Sequence, residues 1–224
     1  MPELARRFYP ATLRLRAVLE SHLGRPRLIL GQTRSYGYER YGQPGPSVQI
    51  EPTSLTIDPG SYLIDWCRSL LGPSPLHVSG FAAPILKPDD PNPDFLTFTL
   101  NSREGAVAQI SVNRYHRAVW GEPSRVLPSA GFQIYAERGI AWLEMPDRIL
   151  WSHADGVHDE RLPMEPTVGE QLNLHFHRML SGEPHLAPSL EDALAVARLV
   201  HQLEDVLQAT HQTEPPPSPP TDNA

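Results

Sequence analysis

Two hydrophobic periods divide this chain. Near its start apolar residues recur every three or four positions, at Leu4, Phe8, Ala11, Leu15 and Val18/Leu19, which is helical spacing. Pro10 fits only a first helical turn, since deeper in a helix it would remove a needed N–H and its ring would clash with the preceding turn. The spacing therefore predicts a helix from Pro10 to Gly24, followed by a strand in "RPRLILGQTR". Residues 36 to 56 hold Gly37, Gly42, Pro44, Gly45, Pro46 and Pro52 among tyrosines. That segment is too long and broken for a turn and is expected to be a loop with a function or a disordered excursion. "TIDPGSYLIDWCRSLLG" then reads as a second helix.

From Leu76 the period becomes two. "LHVSGFAAPI", "DFLTFTL", "AVAQISVNRYH", "GFQIYAE", "GIAWLEM", "RILWS" and "VHDERLP" read as strands, separated by turn signals at Glu104-Gly105, Arg138-Gly139, Pro146-Asp147 and Asp155-Gly156. The expectation is a mostly antiparallel sheet. Leu96, Phe98, Leu100, Ile110, Val112, Phe132 and Ile134 form its apolar face; Thr97, Thr99, Gln109, Ser111, Gln133 and Tyr135 form the other. The second face is polar yet almost free of charge, a composition that suits a subunit interface as well as a solvated surface.

Two helices follow. Thr167 with Glu170, and Ser189 with Asp192, have the capping-box spacing, in which a hydroxyl satisfies one free N–H of the first turn and the acid reaches back to another. In the last helix Leu190, Ala193/Leu194, Ala197, Val200, Leu203 and Leu207 make a stripe expected to lie on the sheet. Residues 211–224, with "EPPPSPPTDNA", have little to bury and are expected to be a disordered tail.

Composition narrows the function classes. A net charge of −7 without a dense Lys/Arg block argues against nucleic acid. No run of about 18 apolar residues offers a membrane span, and "MPELARRFYP" lacks the apolar core and cleavage site of a secretory signal, so the cytoplasm is the expected location. The single cysteine, Cys67, stands in an apolar helical pattern and reads as a packed thiol. His175 and His177 are two apart on a helix and diverge by about 200°, so they cannot chelate one ion together. His153 and His158 are expected in a turn, without a nearby Cys or Asp/Glu at zinc-like spacing, and no metal is expected. No Gly-x-Ser-x-Gly, Gly-x-x-x-x-Gly-Lys, His-Glu-x-x-His or Gly-x-Gly-x-x-Gly occurs.

The second helix carries the candidate chemistry. At 100° per residue, Asp58, Tyr62, Asp65 and Ser69 fall within about 60° of one another, opposite Leu63, Trp66, Cys67 and Leu70. Asp58 before Pro59 fits an N-cap, Tyr62 an amphipathic ring covering a neighbour, and Asp65 a solvated acid.

"RRFYPATLRLRAVLESHLGRPRLI", "DPGSYLIDWCRSLLG", "ERGIAWLEM" and "LNLHFHRMLSGEPHLAPSLEDALAVARLV" stand in the order and spacing of landmarks that resemble the C-terminal domain of the glucose-fructose oxidoreductase, inositol dehydrogenase and rhizopine-catabolism (Gfo/Idh/MocA) oxidoreductases, over residues 6 to 208. The resemblance implies an α+β fold, an open and mostly antiparallel sheet with helices packed on one face and the other face used in subunit association. It makes residues 1–9 the remnant of an interdomain connection and 10–210 the substrate-binding and oligomerisation domain. Through the family's Asp-x-Gly-x-(His or Tyr)-x-x-Asp pattern it implies catalytic roles for Asp58 and Tyr62, with Asp65 belonging to the helix pattern. The loop tyrosines Tyr36, Tyr38 and Tyr41 would line the substrate. The implied cofactor is NAD or NADP and the implied substrate a sugar, polyol or related hydroxy compound, the hydroxyl proton being taken by a side chain as hydride leaves.

The sequence departs from that family pattern in one respect. The nucleotide-binding Rossmann half, with its Gly-rich turn and a Glu-Lys-Pro lysine, is not in it. Tyrosine, with a reference pKa of about 10, needs a nearby cation to act near neutral pH, so the isolated chain is expected to be inactive unless a separate Rossmann domain joins it. The alternative is a non-catalytic assembly module that pairs through its sheet. A sugar-binding module built on the loop tyrosines rests on aromatic content alone.

Overall fold

The structure is a computed structural model that describes residues 5–36, 59–72, 76–85, 93–115 and 130–213. A short 3-10 turn, Ala5–Phe8, leads into α1 (Pro10–Val18), which continues as a π turn over Leu19–Leu23 and stops at Gly24. Pro10 sits in the first turn as its chemistry requires. Then come β1 (Pro26–Tyr36), α2 (Ser61–Leu71), β2 (Leu76–Ala83), β3 (Phe95–Ser102), β4 (Val107–Tyr115), β5 (Ala130–Ala136), β6 (Gly139–Glu144), β7 (Arg148–His153), β8 (Gly156–Arg161), α3 (Val168–Leu180) and α4 (Leu190–Thr213).

The strands form one eight-stranded sheet in the order β2-β3-β4-β1-β5-β6-β7-β8. Every neighbouring pair is antiparallel except β1 with β4. The chain returns parallel to β1 only after α2, β2 and β3, and α2 lies on the sheet face between. All seven residues expected on the apolar face are buried, in one core cluster with side chains of α1, α2 and α4. The opposite face runs across the sheet as Thr99, Gln109, Leu30, Gln133, Trp142 and Leu150 in one row, and Thr97, Ser111, Gln32, Gly131, Glu144 and Arg148 in the next. Among the described residues no helix covers that side, and its polar composition agrees with the alternation.

Both capping boxes form. The Thr167 hydroxyl accepts the Glu170 N–H while Glu170 accepts the Thr167 N–H at 2.7 Å, and Ser189 and Asp192 make the same exchange at 3.1 Å in each direction. The stripe expected on α4 needs correction. Val196, Leu199 and Leu203 are buried with Val200 and Leu207 packed beside them, whereas Leu190 is 67% and Leu194 49% exposed. Asp192 turns toward Arg7 and Arg68, and a helix fixed at that point presents Leu190 and Leu194 on its far side. The α4 backbone stays helical to Thr213, so residues 211–213 continue the helix; 214–224 lie outside the described residues. His153 and His158 stand on β7 and β8 rather than in a turn.

At Gly139 the chain leaves no room for a side chain. A Cβ there would lie 2.2 Å from the Ser152 carbonyl oxygen and 2.7 Å from Leu23, and the carbonyl belongs to the paired strand and cannot swing aside. Gly139→Ala is expected to destabilise by about 2 kcal/mol, within the range for overpacking a filled site. A thermal or urea melt matching that of the parent would show that β6 and β7 can separate at this pair.

Candidate active site at the start of α2

Trp66, Leu63, Ile64, Cys67 and Leu70 anchor α2 to the sheet and its neighbours. The Trp66 ring lies tilted at 4.5 Å on Phe132 of β5, and its Nε1–H donates to Thr12 of α1 at 3.0 Å. Cys67 is buried and desolvation pushes its thiol well above the ordinary range, so it is a packed, unreactive side chain. The same anchoring leaves Tyr62 half-buried on the helix's first turn, and its hydroxyl makes no hydrogen bond among the described residues.

Asp65 overturns its expected exposure. It is 1% exposed, and the Arg7 guanidinium grips it with both prongs, Nε to Oδ2 at 2.8 Å and Nη2 to Oδ1 at 2.5 Å. Arg7 also reaches Asp192 of α4 at 3.3 Å, and Arg68 of α2 pairs with the same Asp192. Burial pushes the Asp65 carboxyl up from its usual range, and the two bonds from Arg7 oppose that without cancelling it. Removing one partner of such a pair typically costs about 3–5 kcal/mol because the other is left charged and unpaired. Beyond Asp65, Arg16 of α1 donates to the Ser69 carbonyl of α2 at 3.0 Å.

Of the other expected site residues, Asp58, Tyr38 and Tyr41 lie outside the described residues. Tyr36 ends β1 opposite Tyr115, and its side chain lies outside them as well. The structure therefore places Tyr62 alone of the proposed catalytic pair. What sequence reasoning missed is Arg7, separated from Asp65 by 58 positions. A carboxylate between Ile64 and Trp66 was the only available hint that a cation had to come from elsewhere.

The histidines gather without a metal geometry. His22 lies 4.9 Å from Trp151 and 5.3 Å from His153, while His158 stacks on Trp151 at 3.9 Å. The rings cover the indole, whose N–H donates to Glu160, itself held by Arg14. Among the described residues no group of three or more His, Cys, Asp or Glu is placed to hold a metal ion, and no helix is long and apolar enough to cross a membrane.

The model of the GFO/IDH/MocA C-terminal domain matches residues 12–141, more than half of the chain, and the chain belongs to that family. Solved structures agree in fold. UDP-N-acetylglucosamine 3-dehydrogenase GnnA from Acidithiobacillus ferrooxidans superposes with a TM-score of 0.70 at 15% identity, covering 92% of this chain and 60% of that one. An oxidoreductase from Agrobacterium radiobacter, solved with NAD+, L-tartaric acid and magnesium, gives 0.67 at 22% identity over 92% and 62%. An NAD binding oxidoreductase from Klebsiella pneumoniae gives 0.66 at 14% over 92% and 63%. The chain thus spans about three fifths of the length of these structures. Among curated proteins no sequence matches it.

His175 supplies a pH test of this region. It is buried against Phe8, 5.3 Å between ring centres, and its Nδ1 accepts the Leu186 N–H at 3.1 Å. Burial lowers its pKa, with Arg178 and His185 adding repulsion. The unfolded chain then binds that proton more readily, so stability is fully present above the ordinary value of about 6.5 and is lost as pH falls through the lower folded value. Melting temperature should drop between pH 7.5 and 5, and His175→Gln should flatten the drop. An equally steep profile in the variant would remove His175 as its source.

Proposed function

We propose that this chain is the substrate-binding and oligomerising domain of an NAD(P)-dependent oxidoreductase acting on a sugar, polyol or related hydroxy compound. Tyr62 carries the reading. The helix that bears it is packed onto the sheet, and among the described residues its hydroxyl makes no hydrogen bond, which leaves it able to exchange a proton with a bound ligand. Asp58, one turn earlier in sequence, is proposed to share the site, with Tyr36, Tyr38 and Tyr41 lining the substrate. The residues present do not fit a dinucleotide, because the sequence has no Gly-x-Gly-x-x-Gly turn to receive a pyrophosphate. Cofactor binding therefore falls to a nucleotide-binding half, and this chain's share is to hold the substrate and handle its proton. Joined to such a half, Tyr62→Phe should lower turnover by about 100-fold or more, the usual contribution of a positioned acid–base group, and unchanged turnover would refute the role.

The oligomerising part of the proposal rests on the open sheet face. Leu30, Gln32, Gln109, Gln133, Trp142 and Glu144 line a concavity of about 510 Å³ there. Charges at its edge are already neutralised within the face, Arg148 bonding Glu144 at 3.1 Å and Asp159 at 2.8 Å. Such a face loses little by desolvation against a second copy of itself. Sedimentation should show self-association of the chain, and Trp142→Arg should weaken it at least tenfold, which corresponds to about 1.4 kcal/mol. A parent chain that stays monomeric at micromolar concentration would rule out this interface.

A further inference from the structure

Two observations about α2 belong together. Gly60, at the head of the helix, offers no capping side chain, and the buried Asp65 one turn later is held by a cation from the segment ahead of α1. Tyr62 and Asp65 are three residues apart and share a face, so whatever fixes Asp65 also fixes the turn presenting the tyrosine. A bidentate guanidinium fixes direction as well as distance, and with side chains only 8% and 1% exposed the pair is shielded from screening by salt. Arg7 is held in turn by Asp192, which is capped by Ser189 and paired with Arg68.

We propose that Arg7 is a positioning residue for Tyr62: its fork on Asp65 sets the rotation and location of the first turns of α2 and couples them to the segment entering the domain and to the start of α4. This inference rests on the reading of Tyr62 as the proton-handling group. It assigns Arg7 no contact with a substrate. A shift of the 3-10 turn Ala5–Phe8 would be transmitted through one rigid pair to the tyrosine.

Amide hydrogen exchange, together with the ring 13C resonance of Tyr62 assigned through Tyr62→Phe, tests this in the chain itself. The Asp65 and Trp66 amides report the first turns of α2, while those of Leu70 and Leu71 report its end. Arg7→Met should speed exchange at Asp65 and Trp66 at least tenfold relative to Leu70 and Leu71 and move the Tyr62 resonance. Arg7→Lys keeps the charge and loses the fork, so it should show the same local pattern more weakly; if Arg7→Met does not fold, this variant decides. Arg14→Met, which breaks the Arg14–Glu160 pair on another face of α1, should leave Tyr62 unmoved. Uniform acceleration throughout α2 and the sheet, or an unchanged Tyr62 resonance, would reduce Arg7 to a structural residue and overturn the proposal. Turnover that survives Tyr62→Phe would instead sink the reading beneath it while leaving the exchange pattern intact.

Discussion

The contact on which the rest of this domain depends is the tilted packing of Trp66 against Phe132 above a glycine. Gly31 of β1 pairs with Phe132 of β5, and a Cβ on Gly31 would come within 2.3 Å of the Phe132 ring. Only a residue without a side chain lets that ring lie across β1, and only there can Trp66 meet it at 4.5 Å. Such a pair adds about 0.5–1.5 kcal/mol beyond its buried area. Its larger effect is geometric. Trp66 also donates to Thr12, and Thr12 in turn donates to the Met145 sulfur at 3.9 Å, so α2, α1 and the β6–β7 turn are registered against one indole.

β1 carries that contact because it is the strand at which the sheet changes direction. It joins the antiparallel set β2-β3-β4 to the antiparallel set β5-β6-β7-β8. The parallel junction demands a crossover, and the crossover brings α2 onto the face where Phe132 waits. One face is thereby filled by three helices. The same topology sends none of the described helices to the other face, and the rows seen there are accordingly rich in amides and hydroxyls.

What was legible in the sequence is what local chemistry decides. A period of two placed every strand from β2 to β8, because alternate residues must face opposite sides of a sheet. Thr167 and Ser189 marked their helix starts, because a hydroxyl and an acid three residues apart satisfy the same first-turn donors. Asp65 was misread for the opposite reason: a helical wheel sorts residues by polarity and has no term for a cation arriving from 58 positions away. The α4 stripe failed through the same network. Asp192, 185 positions from Arg7, is held by an ion pair, and a stripe drawn from Leu190, Ala193/Leu194, Ala197, Val200, Leu203 and Leu207 took no account of it. The clustering of His22 with Trp151, His153 and His158 was hidden likewise, since it needs the π turn after α1 to be laid against β7.

The buried charges and the aromatic contact constrain each other. Asp65 directly precedes Trp66, and successive helical residues are about 100° apart. An ionised Asp65 without Arg7 would favour a rotation of α2 that carried the carboxylate toward water, and the same rotation would draw Trp66 off Phe132. Apolar substitutes of similar volume often serve stability as well as a buried ion pair, so the pair's value here lies in fixing one rotation among several that would bury the apolar side chains of α2. The aromatic contact sets where α2 lies over the sheet, and Arg7 sets which way it faces. Tyr62, on the turn between Gly60 and Asp65, receives its orientation from both.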